Sequence, residues 1–567
     1  MPSVLNRFRF KKQGSPANPA ADELAVWASN DTVPRLKTRT SAGTERFLGY
    51  EYLFNVKDYG AVGDGVADDA GAIQAALNAC NAAGGGTVIV PHDTYKINSE
   101  LEFPGSNICL RCEYRATIIR GSSSMQYMIK NFNSSYAPTG WAGRSNLRLE
   151  GGTWDANGAT LTGSCTAIIF AHAANIRVSN VAVLNVRDWH AIEFNAIREG
   201  IIENSQFSGF NHVAAGRDIS EAIQLDLAIN SAALPGIGAG SYDNTPCHNI
   251  LVFGNYVSAF GALGSYGALV GTHSAVQDKA QTAIRVIGNY AEGLRAWGVT
   301  GYNWHNAVIS DNQFLDCNGG VIIEVPTGLT VDIERFTIAN NQFLNMGTLN
   351  GGSTLAAGVI DTRMSGSSVI RSVTVIGNVI KNYANPYGIV FRTTSDVVCQ
   401  GNSIRNGTNA SSVGILANNS AFGTYTGNKI DTYNTAGMYY QNVSTDCAIT
   451  GNVLNGDADG IILDSGRNIV QGNSIRLNVV DERAITLTSN GTYCAVVGNL
   501  IYNAGAGATT VPGIDVQTAV NIVLQANAIW GYGTTEGATG PVRRGGALTP
   551  NISTTPSTSN TNYYNVS

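Results

Sequence analysis

Apolar and polar positions repeat in one pattern from about residue 175 to residue 530. A short β-branched run leads to an asparagine, often after glycine, and an apolar residue follows two positions later. The asparagines recur about every 25 residues, a period typical of solenoid proteins. They are Asn180, Asn204, Asn255, Asn289, Asn312, Asn341, Asn378, Asn402, Asn428, Asn452, Asn473, Asn499 and Asn527. The regularity predicts one repeated structural unit.

A second short strand lies between successive asparagines. It has the form small, apolar, any residue, apolar, as in AIEF, AIQL, GIVF and GMYY. Short strands with alternating polarity and corners of glycine and asparagine describe one turn of a coil rather than a hairpin. Successive turns stack at about 4.8 Å, so an asparagine side chain can bond the same group one turn on. We therefore predict an all-β parallel β-helix with an asparagine ladder.

One helix is predicted ahead of these coils. It begins with Asp68 or Asp69 as N-cap, buries Ile73, Ala76 and Leu77 on one face, and stops at the glycines of residues 84–86. Because the open end of a β-helix exposes core and unpaired backbone, we expect this helix to cap it. The acidic residues nearby could be calcium ligands, but we interpret them as turn and capping groups: Asp58, Asp64, Asp68 and Asp69.

Composition narrows the functional classes. The 567 residues include 35 Lys and Arg against 41 Asp and Glu, and the net charge of −6 argues against nucleic acid as a partner. No apolar run reaches the roughly 18 residues of a spanning helix, so we expect no membrane insertion. The first residues lack the apolar core of a signal peptide, and we predict that none is present. The nine scattered cysteines are interpreted as small buried side chains.

The segment after residue 55 resembles a known superfamily. VKDYGAVGDGVADDAGAIQAALNA, followed by GGGTVIVPHDTYKI, looks like the start of pectate-lyase-like right-handed β-helix proteins, which include glycosidases, polysaccharide lyases, epimerases and bacteriophage tailspikes. With the asparagine repeat, the resemblance covers about residues 54–530. It implies a single-stranded right-handed parallel β-helix with an N-terminal capping α-helix, and an activity on polysaccharide.

Residues 15–49 resemble short N-terminal segments of phage tail proteins, in which a PANP stretch precedes a strand pair and a SAGTE turn. This implies attachment to a phage tail or baseplate protein and a place on the virion, whereas a disordered leader is the alternative. The tailspike resemblance implies a homotrimer. We divide the chain into an attachment segment at 1–52, the capping helix and first coils at 53–150, a β-helix with a carbohydrate groove at 151–530, and a Ser/Thr/Asn-rich tail at 531–567.

Long insertions between coils should wall a groove, and the widest gaps between asparagines lie between residues 204 and 289. Alternation along the second strands predicts outward-facing side chains on successive coils. These are Glu193 and Asn195, Gln224 and Asp226, Val270 and Thr272, Thr300 and Tyr302, and Glu324. The backbones of Glu193 and Asp226 would lie about 8 Å apart, a separation that suits the two carboxyl groups of an inverting glycosidase.

The segment SEAIQLD places a carboxylate at each end of an apolar strand. It resembles a motif of polysaccharide-acting β-helix proteins in which this strand is followed by a turn like YDNTPC at 242–247 and a strand like GTHS at 271–274. By this resemblance Glu221, Asp226 and His273 line the site, and Glu193 joins them as a catalytic candidate. One carboxylic acid could protonate the leaving oxygen, a carboxylate could activate water, and His273 could orient one of them. Corner and turn roles are the structural alternatives.

Aromatic and polar residues near the same gaps are candidates for substrate binding, because flat aromatic faces stack on sugar rings. The candidates are Trp189, His190, Asp155, Arg285, Trp297, Tyr302 and Trp304. Core packing is the alternative for the tryptophans, turn chemistry for Asp155 and a structural ion pair for Arg285. We predict no metal and no cofactor.

These predictions favour a phage tailspike depolymerase that hydrolyses glycosidic bonds of a bacterial surface polysaccharide, such as capsule, exopolysaccharide or O-antigen. A lyase acting on a uronic-acid polymer is the first alternative, with Lys279, Arg285 or a Tyr or His residue as the base. A non-catalytic spike that binds glycan is the second.

Overall fold

The structure is a computed structural model. It describes residues 12–13, 15–20, 25–29, 36–39, 45–47, 52–347, 357–364, 368–505, 511–532, 542–544 and 562–565. From residue 53 onward each coil contributes up to three strands, and each strand pairs in parallel with the equivalent strand of the next coil. The predicted all-β parallel β-helix with an N-terminal capping helix is confirmed.

The strand that leads into each ladder position forms the sheet that we call the ladder sheet. Its separate strands are Leu53–Asn55, Gly86–Val90, Ile108–Cys112, Leu147–Glu150, His248–Phe253, Gln281–Ile287, Trp304–His305, Ala307–Ser310, Ile333–Ala339, Ile370–Ile376, Thr424–Thr426, Ala448–Thr450, Ile469–Gln471 and Ala495–Val497.

The strand after each ladder position forms the second sheet. Its strands are Asp64–Asp68, Thr94–Ile97, Thr117–Arg120, Thr153–Asp155, Ala182–Arg187, Gln206–Asn211, Tyr256–Ser258, Tyr290–Glu292, Gln313–Leu315, Gln342–Met346, Val379–Tyr383, Ser403–Gly407, Lys429–Asp431, Val453–Gly456, Ser474–Leu477 and Leu500–Asn503.

The third sheet closes each coil. Its separate strands are Leu101–Glu102, Tyr127–Lys130, Glu221–Asp226, Ala268–Gly271, Trp297–Tyr302, Gly319–Val325, Gly358–Met364, Ala436–Gln441, Asp459–Asp464, Ile485–Leu487, Ile514–Val516 and Val542–Arg544. Four long strands bend from the third sheet into the ladder sheet: Thr166–Ser179, Ile192–Glu203, Tyr387–Gln400 and Val413–Ala421. Val523–Trp530 runs from the ladder sheet into the second sheet and pairs antiparallel with Asn562–Asn565.

The capping helix spans Ala70–Ala82 and follows the 3₁₀ turn Val56–Tyr59. Ile73, Ala76 and Leu77 are fully buried against the first coils. They belong to one continuous core, which the inward-facing apolar side chains of all three sheets form. Asp69 holds the backbone N–H groups of residues 62 and 63, and Asp68 accepts from the amide of residue 70. These are the turn and capping roles that the sequence indicates.

The asparagine ladder runs from Asn255 to Asn527. At each step the Nδ2 of one asparagine donates to the Oδ1 of the next at 2.9–3.0 Å, and its backbone N–H donates to the same oxygen. Nδ2 also donates to a carbonyl one coil back, as Asn402 does to Val375 at 2.9 Å. Each buried amide is therefore saturated with hydrogen bonds.

The prediction for the first two ladder asparagines is wrong. Asn180 and Asn204 are exposed and have φ of 57° and 49°, so they occupy the left-handed corner position that Gly254 fills one coil later. The ladder position of that coil is Ser205, whose N–H donates to Asn255 Oδ1 at 3.1 Å. Asparagine therefore occurs at two positions of a coil. At the ladder position its buried amide forms hydrogen bonds, and at the corner position its backbone tolerates the left-handed conformation.

A separate four-stranded sheet precedes the β-helix, with strands Lys12–Gln13, Ala25–Ser29, Leu36–Arg39 and Glu45–Phe47. Ala25–Ser29 and Leu36–Arg39 pair antiparallel after the PANP stretch. Most of the predicted segments 1–52 and 531–567 lies outside the described residues. No helix in the described ranges has both the length and the hydropathy that a membrane span requires.

Candidate active site

The predicted carboxylates lie on the outer face of the third sheet. Glu193 pairs in register with Gln224, and Asn195 pairs with Asp226. Because side chains alternate along a strand, all four point outward, while the intervening Phe194 and Leu225 enter the core. Glu193 and Asp226 are therefore diagonal neighbours on adjacent coils.

Burial sets the proton affinity of these two groups. Glu193 is 4% exposed, and its carboxylate accepts hydrogen bonds from Thr166 Oγ1 at 3.0 Å and Asn195 Nδ2 at 2.6 Å. Burial outweighs both bonds and raises the pKa of Glu193 to about 7. Burial also raises the pKa of Asp226, against the charge of His273 and hydrogen bonds that include Leu227 N at 2.8 Å.

A histidine–carboxylate pair stands beside them. Glu221, 2% exposed, lies with Oε2 2.5 Å from His273 Nε2. Burial alone raises the pKa of Glu221, but the charge of His273 and its hydrogen bond reverse this and lower it. Burial in turn opposes charge on His273, yet Glu221 outweighs it and raises the pKa of His273 to about 9. At neutral pH this pair is therefore ionised on both sides.

His190 lies behind that pair. Its Nδ1 is 2.8 Å from the backbone oxygen of Glu221, so Nδ1 carries the proton and donates to that oxygen. Burial lowers the pKa of His190 to about 3, so the ring is neutral at physiological pH. One histidine of the site is thus fixed as neutral and the other as charged.

The segment between residues 227 and 247 walls the site. Leu234 and Ile237 pack on Tyr127 and Phe132 outside the third sheet, and Tyr127 Oη donates to the carbonyl of Pro235 at 3.0 Å. These contacts exist because the insertion carries apolar residues that the outer face of the sheet can bury. The resulting cavity of about 120 Å³ is lined by Tyr127, Trp189, His190, Glu193, Arg217, Gln224, Asp226, Ala232, Ala233, Pro235, His273 and Ser274.

Comparisons with known proteins agree with this architecture. A family model described as "Rhamnogalacturonase A/epimerase, pectate lyase-like" matches residues 53–322, and one described as "Periplasmic copper-binding protein (NosD)" matches residues 348–513. The tailspike protein of E. coli bacteriophage HK620, a double mutant in complex with a pentasaccharide, superposes with a TM-score of 0.50 at 14% identity, over 86% of this chain and 83% of that chain. These similarities support a parallel β-helix fold of the pectate-lyase-like kind.

Curated relatives differ in what their names describe. Plasmin and fibronectin-binding protein A of Streptococcus pneumoniae is 26% identical over 497 residues, which are 81% of this chain and 65% of that protein. This chain therefore spans less than two thirds of that relative. Mannuronan C5-epimerase AlgE1 of Azotobacter vinelandii is 46% identical over 77 residues, which are 14% of this chain and 5% of the epimerase.

The structure brings five of the eleven predicted catalytic and binding residues into this cavity. Glu193, Asp226, His190, Trp189 and His273 line it. Glu221 lies directly behind through its contact with His273. Their approach follows from the register of adjacent coils, which places residues far apart in sequence at one height.

Three predicted binding residues lie elsewhere. Asp155 is on the second sheet, where Oδ1 accepts from Asn157 N and from Asn185 Nδ2, so it serves a turn. Arg285 is on the ladder sheet and donates to Asn249 Oδ1 at 3.0 Å. Trp304 is fully buried in the core and donates from Nε1 to Thr272 Oγ1, so it offers no face to a sugar. The prediction for Trp304 is wrong, whereas Asp155 and Arg285 lie outside this cavity and stay predictions.

The prediction that Val270 faces outward is also wrong. Val270 pairs with Ile223 and enters the core, and Gly271 takes the outward position opposite Gln224. A shift of one residue exchanges the two faces of a strand. Gly271 leaves room there, because a Cβ at this position would meet Glu221 Oε1 at 2.6 Å.

Trp297 and Tyr302 lie farther along the third sheet, on one strand. Tyr302 pairs in register with Glu324, and Glu324 pairs with Arg363. Burial raises the pKa of Tyr302 to about 12. Beside them, fully buried Asp361 accepts from Arg392 Nη1 at 2.8 and 2.9 Å and from Arg363 Nη2 at 3.4 Å. We call Asp361, Arg363 and Arg392 the guanidinium cluster.

The sequence did not single out some residues of the site. Thr166 and Ser274 hold the two carboxylates, and Tyr127 and Arg217 line the cavity. Ser274 completes the GTHS segment, so it was within reach of sequence reasoning. Thr166 and Tyr127 come from earlier coils, and only the three-dimensional register shows their proximity.

Proposed function

We propose that this protein binds a bacterial surface polysaccharide and hydrolyses its glycosidic bonds, with Glu193 as general acid and Asp226 as general base. The supporting observation is a pair of buried carboxyl groups on adjacent coils of one sheet face, opening into a cavity walled by an insertion. Inverting glycosidic hydrolysis needs one protonated carboxyl group as acid and one ionised carboxylate as base, and two adjacent carboxyl groups can supply both.

The environments of the two groups suggest their roles. A pKa of about 7 leaves a large share of Glu193 protonated at neutral pH, so it can deliver a proton to the leaving oxygen. Asp226 accepts hydrogen bonds from Ser274 N, Ser274 Oγ and Leu227 N, which favour its carboxylate form and orient it toward a water. The backbone arrangement leaves room for that water, and we expect inversion at the anomeric carbon.

Neighbouring groups complete the mechanism. His273 lowers the pKa of both carboxyl groups through its charge, and Glu221 keeps His273 protonated. The Glu221–His273 pair therefore sets the working pH range of the acid and the base without donating the transferred proton. Trp189, at the cavity wall, supplies an aromatic surface for a sugar ring.

The biological setting is also a proposal. The tailspike resemblance favours a homotrimer on a virion, attached to a phage tail or baseplate protein through residues 1–52. The alignment with a pneumococcal plasmin- and fibronectin-binding protein favours an extracellular or cell-surface protein. Both settings place the groove where it would meet bacterial glycan.

A binding function without cleavage is the second candidate. It is supported by the same alignment, which covers 81% of this chain and involves a protein named for binding. The lyase alternative loses Arg285 as its base, because Arg285 lies on a different sheet from the carboxylates. Tyr127, His190 and His273 line the cavity and keep this alternative open.

The test is digestion of capsule, exopolysaccharide and O-antigen preparations, followed by size-exclusion chromatography and mass spectrometry of the products. Hydrolysis adds one water per cut and leaves a reducing end, whereas elimination leaves an unsaturated product that absorbs in the ultraviolet. Polymer that is retained by the protein but keeps its size supports binding alone and contradicts the hydrolysis. Glu193→Gln and Asp226→Asn test the assignment of the two groups.

A further inference from the structure

Three metal-ligating side chains converge beside the two proposed catalytic carboxylates. One ligand atom from each of His190, Glu221 and His273 lies within 4.8 Å of the others, the one such group in the described part of the chain. Two imidazoles and one carboxylate are a donor set that suits zinc and similar ions better than calcium or magnesium.

The first ligand is already oriented. His190 Nδ1 donates to the backbone oxygen of Glu221 at 2.8 Å, so the lone pair stays on Nε2. The ring is 3% exposed and lines the cavity, so it has little freedom to turn away. A backbone carbonyl that fixes the tautomer of a histidine is the usual outer support of a metal ligand.

The second ligand lies between the two histidines. Glu221 is 2% exposed, and its Oε2 is buried. That oxygen faces both histidines, 2.5 Å from His273 Nε2 and 3.8 Å from His190 Nδ1. Protonated His273 balances the carboxylate charge, and a metal ion bound at this oxygen would balance it in the same way.

The surrounding charge favours a cation as well. Glu193, Glu221 and Asp226 contribute three carboxyl groups, opposed by Arg217 and by His273 while it carries its proton. The field of clustered carboxylates concentrates cations in a small cavity.

We propose that His190, Glu221 and His273 bind one divalent transition-metal ion of the zinc class. The ion displaces the Nε2 proton of His273 to solvent and takes the place of the direct Glu221–His273 contact. The 2.5 Å contact must open to about 3.3 Å for two ligands at about 2.0 Å from a tetrahedral ion. His273 can make this shift, because it follows the strand Ala268–Gly271 in a loop and its side chain is 30% exposed. The fourth position then faces the cavity.

This inference does not depend on the proposed hydrolysis, and binding is its readout. Untagged full-length protein is dialysed against a chelator and titrated with Zn²⁺ by calorimetry and with Co²⁺ by visible absorption. We expect one ion per chain, an intense tetrahedral Co²⁺ band, and binding that His273→Gln weakens by about 100-fold or more. Glu221→Gln is the second variant, and circular dichroism verifies that each folds.

His92→Gln is the matched control, since His92 is exposed and far from the group in sequence. It should bind Zn²⁺ as the unmodified protein does. The proposal is overturned by unmodified protein that binds neither ion at millimolar concentration, by a site that prefers Ca²⁺, or by equal Zn²⁺ affinity in the His273→Gln variant.

Discussion

Two groups of buried carboxylates lie on the same face of the third sheet and differ in what balances their charge. Glu221 is paired with the imidazole of His273, and Glu193 and Asp226 accept hydrogen bonds from uncharged groups, whereas Asp361 in the guanidinium cluster is held by two arginines. Four strand-to-strand steps separate the two groups, about 19 Å at the usual spacing.

The charge partners of a buried carboxylate decide whether it can take part in proton transfer or only stabilise the fold. A guanidinium keeps its charge at every physiological pH, so the partners of Asp361 do not exchange protons. Glu193 instead has uncharged hydrogen-bond partners, and burial raises its own pKa to about 7, so this carboxyl group can exchange a proton at neutral pH. One sheet position can thus support a reaction or a stable fold, according to the residues one coil away.

Glu193→Gln should give the largest effect. Removing the proton donor should lower the rate of depolymerisation by about a thousandfold while leaving polymer binding intact. Initial rates measured by reducing-end release would show this. Glu199→Gln is the matched control, because Glu199 lies on the same strand with its side chain 56% exposed. Equal loss in both variants would contradict the assignment.

Asp361→Asn should act on stability and not on the reaction. Two arginines lose a buried partner, and we expect about 3 kcal/mol of destabilisation, measured by urea unfolding. Arg371→Gln is the control, because both side chains of the Arg371–Asp332 ion pair are exposed. This pair should contribute less than about 1 kcal/mol to the free energy of unfolding. A normal unfolding midpoint with lost activity would instead make the guanidinium cluster part of the site.

The pH profile should report Glu193 on its alkaline limb. A general acid must be protonated, so the rate should fall about tenfold per pH unit above a pKa of about 7. Asp226 raises this pKa and His273 lowers it. The limb should be absent in Glu193→Gln, and its persistence there would assign it to another group.

Trp304→Phe should give the smallest effect. The variant loses the bond to Thr272 Oγ1 and some core volume, and we expect about 1 kcal/mol of destabilisation with an unchanged KM. Trp189→Ala, at the cavity, should instead raise KM several-fold. A raised KM in Trp304→Phe would contradict this interpretation and support a substrate-binding role for Trp304.

The repeat made the fold predictable, because stacked coils impose the same sequence pattern many times. The diagonal placement of Glu193 and Asp226 followed from the same alternation. The predicted outward orientation of Val270 was wrong because its motif is shifted by one residue. The predicted ladder positions of Asn180 and Asn204 were wrong because asparagine also suits the left-handed corner. The burial of Trp304 and the place of Asp155 outside the cavity have another cause, since no local pattern states which of three sheets a residue joins.

The asparagine ladder affects how the length of such a chain can change during evolution. Every step presents the next coil with the same amide, pointing the same way, so any two coils between Asn255 and Asn527 meet through identical groups. A gene could therefore lengthen or shorten this protein by one whole winding without creating a mismatched junction. Its length is free to evolve in fixed increments, while the groove near one end keeps its shape.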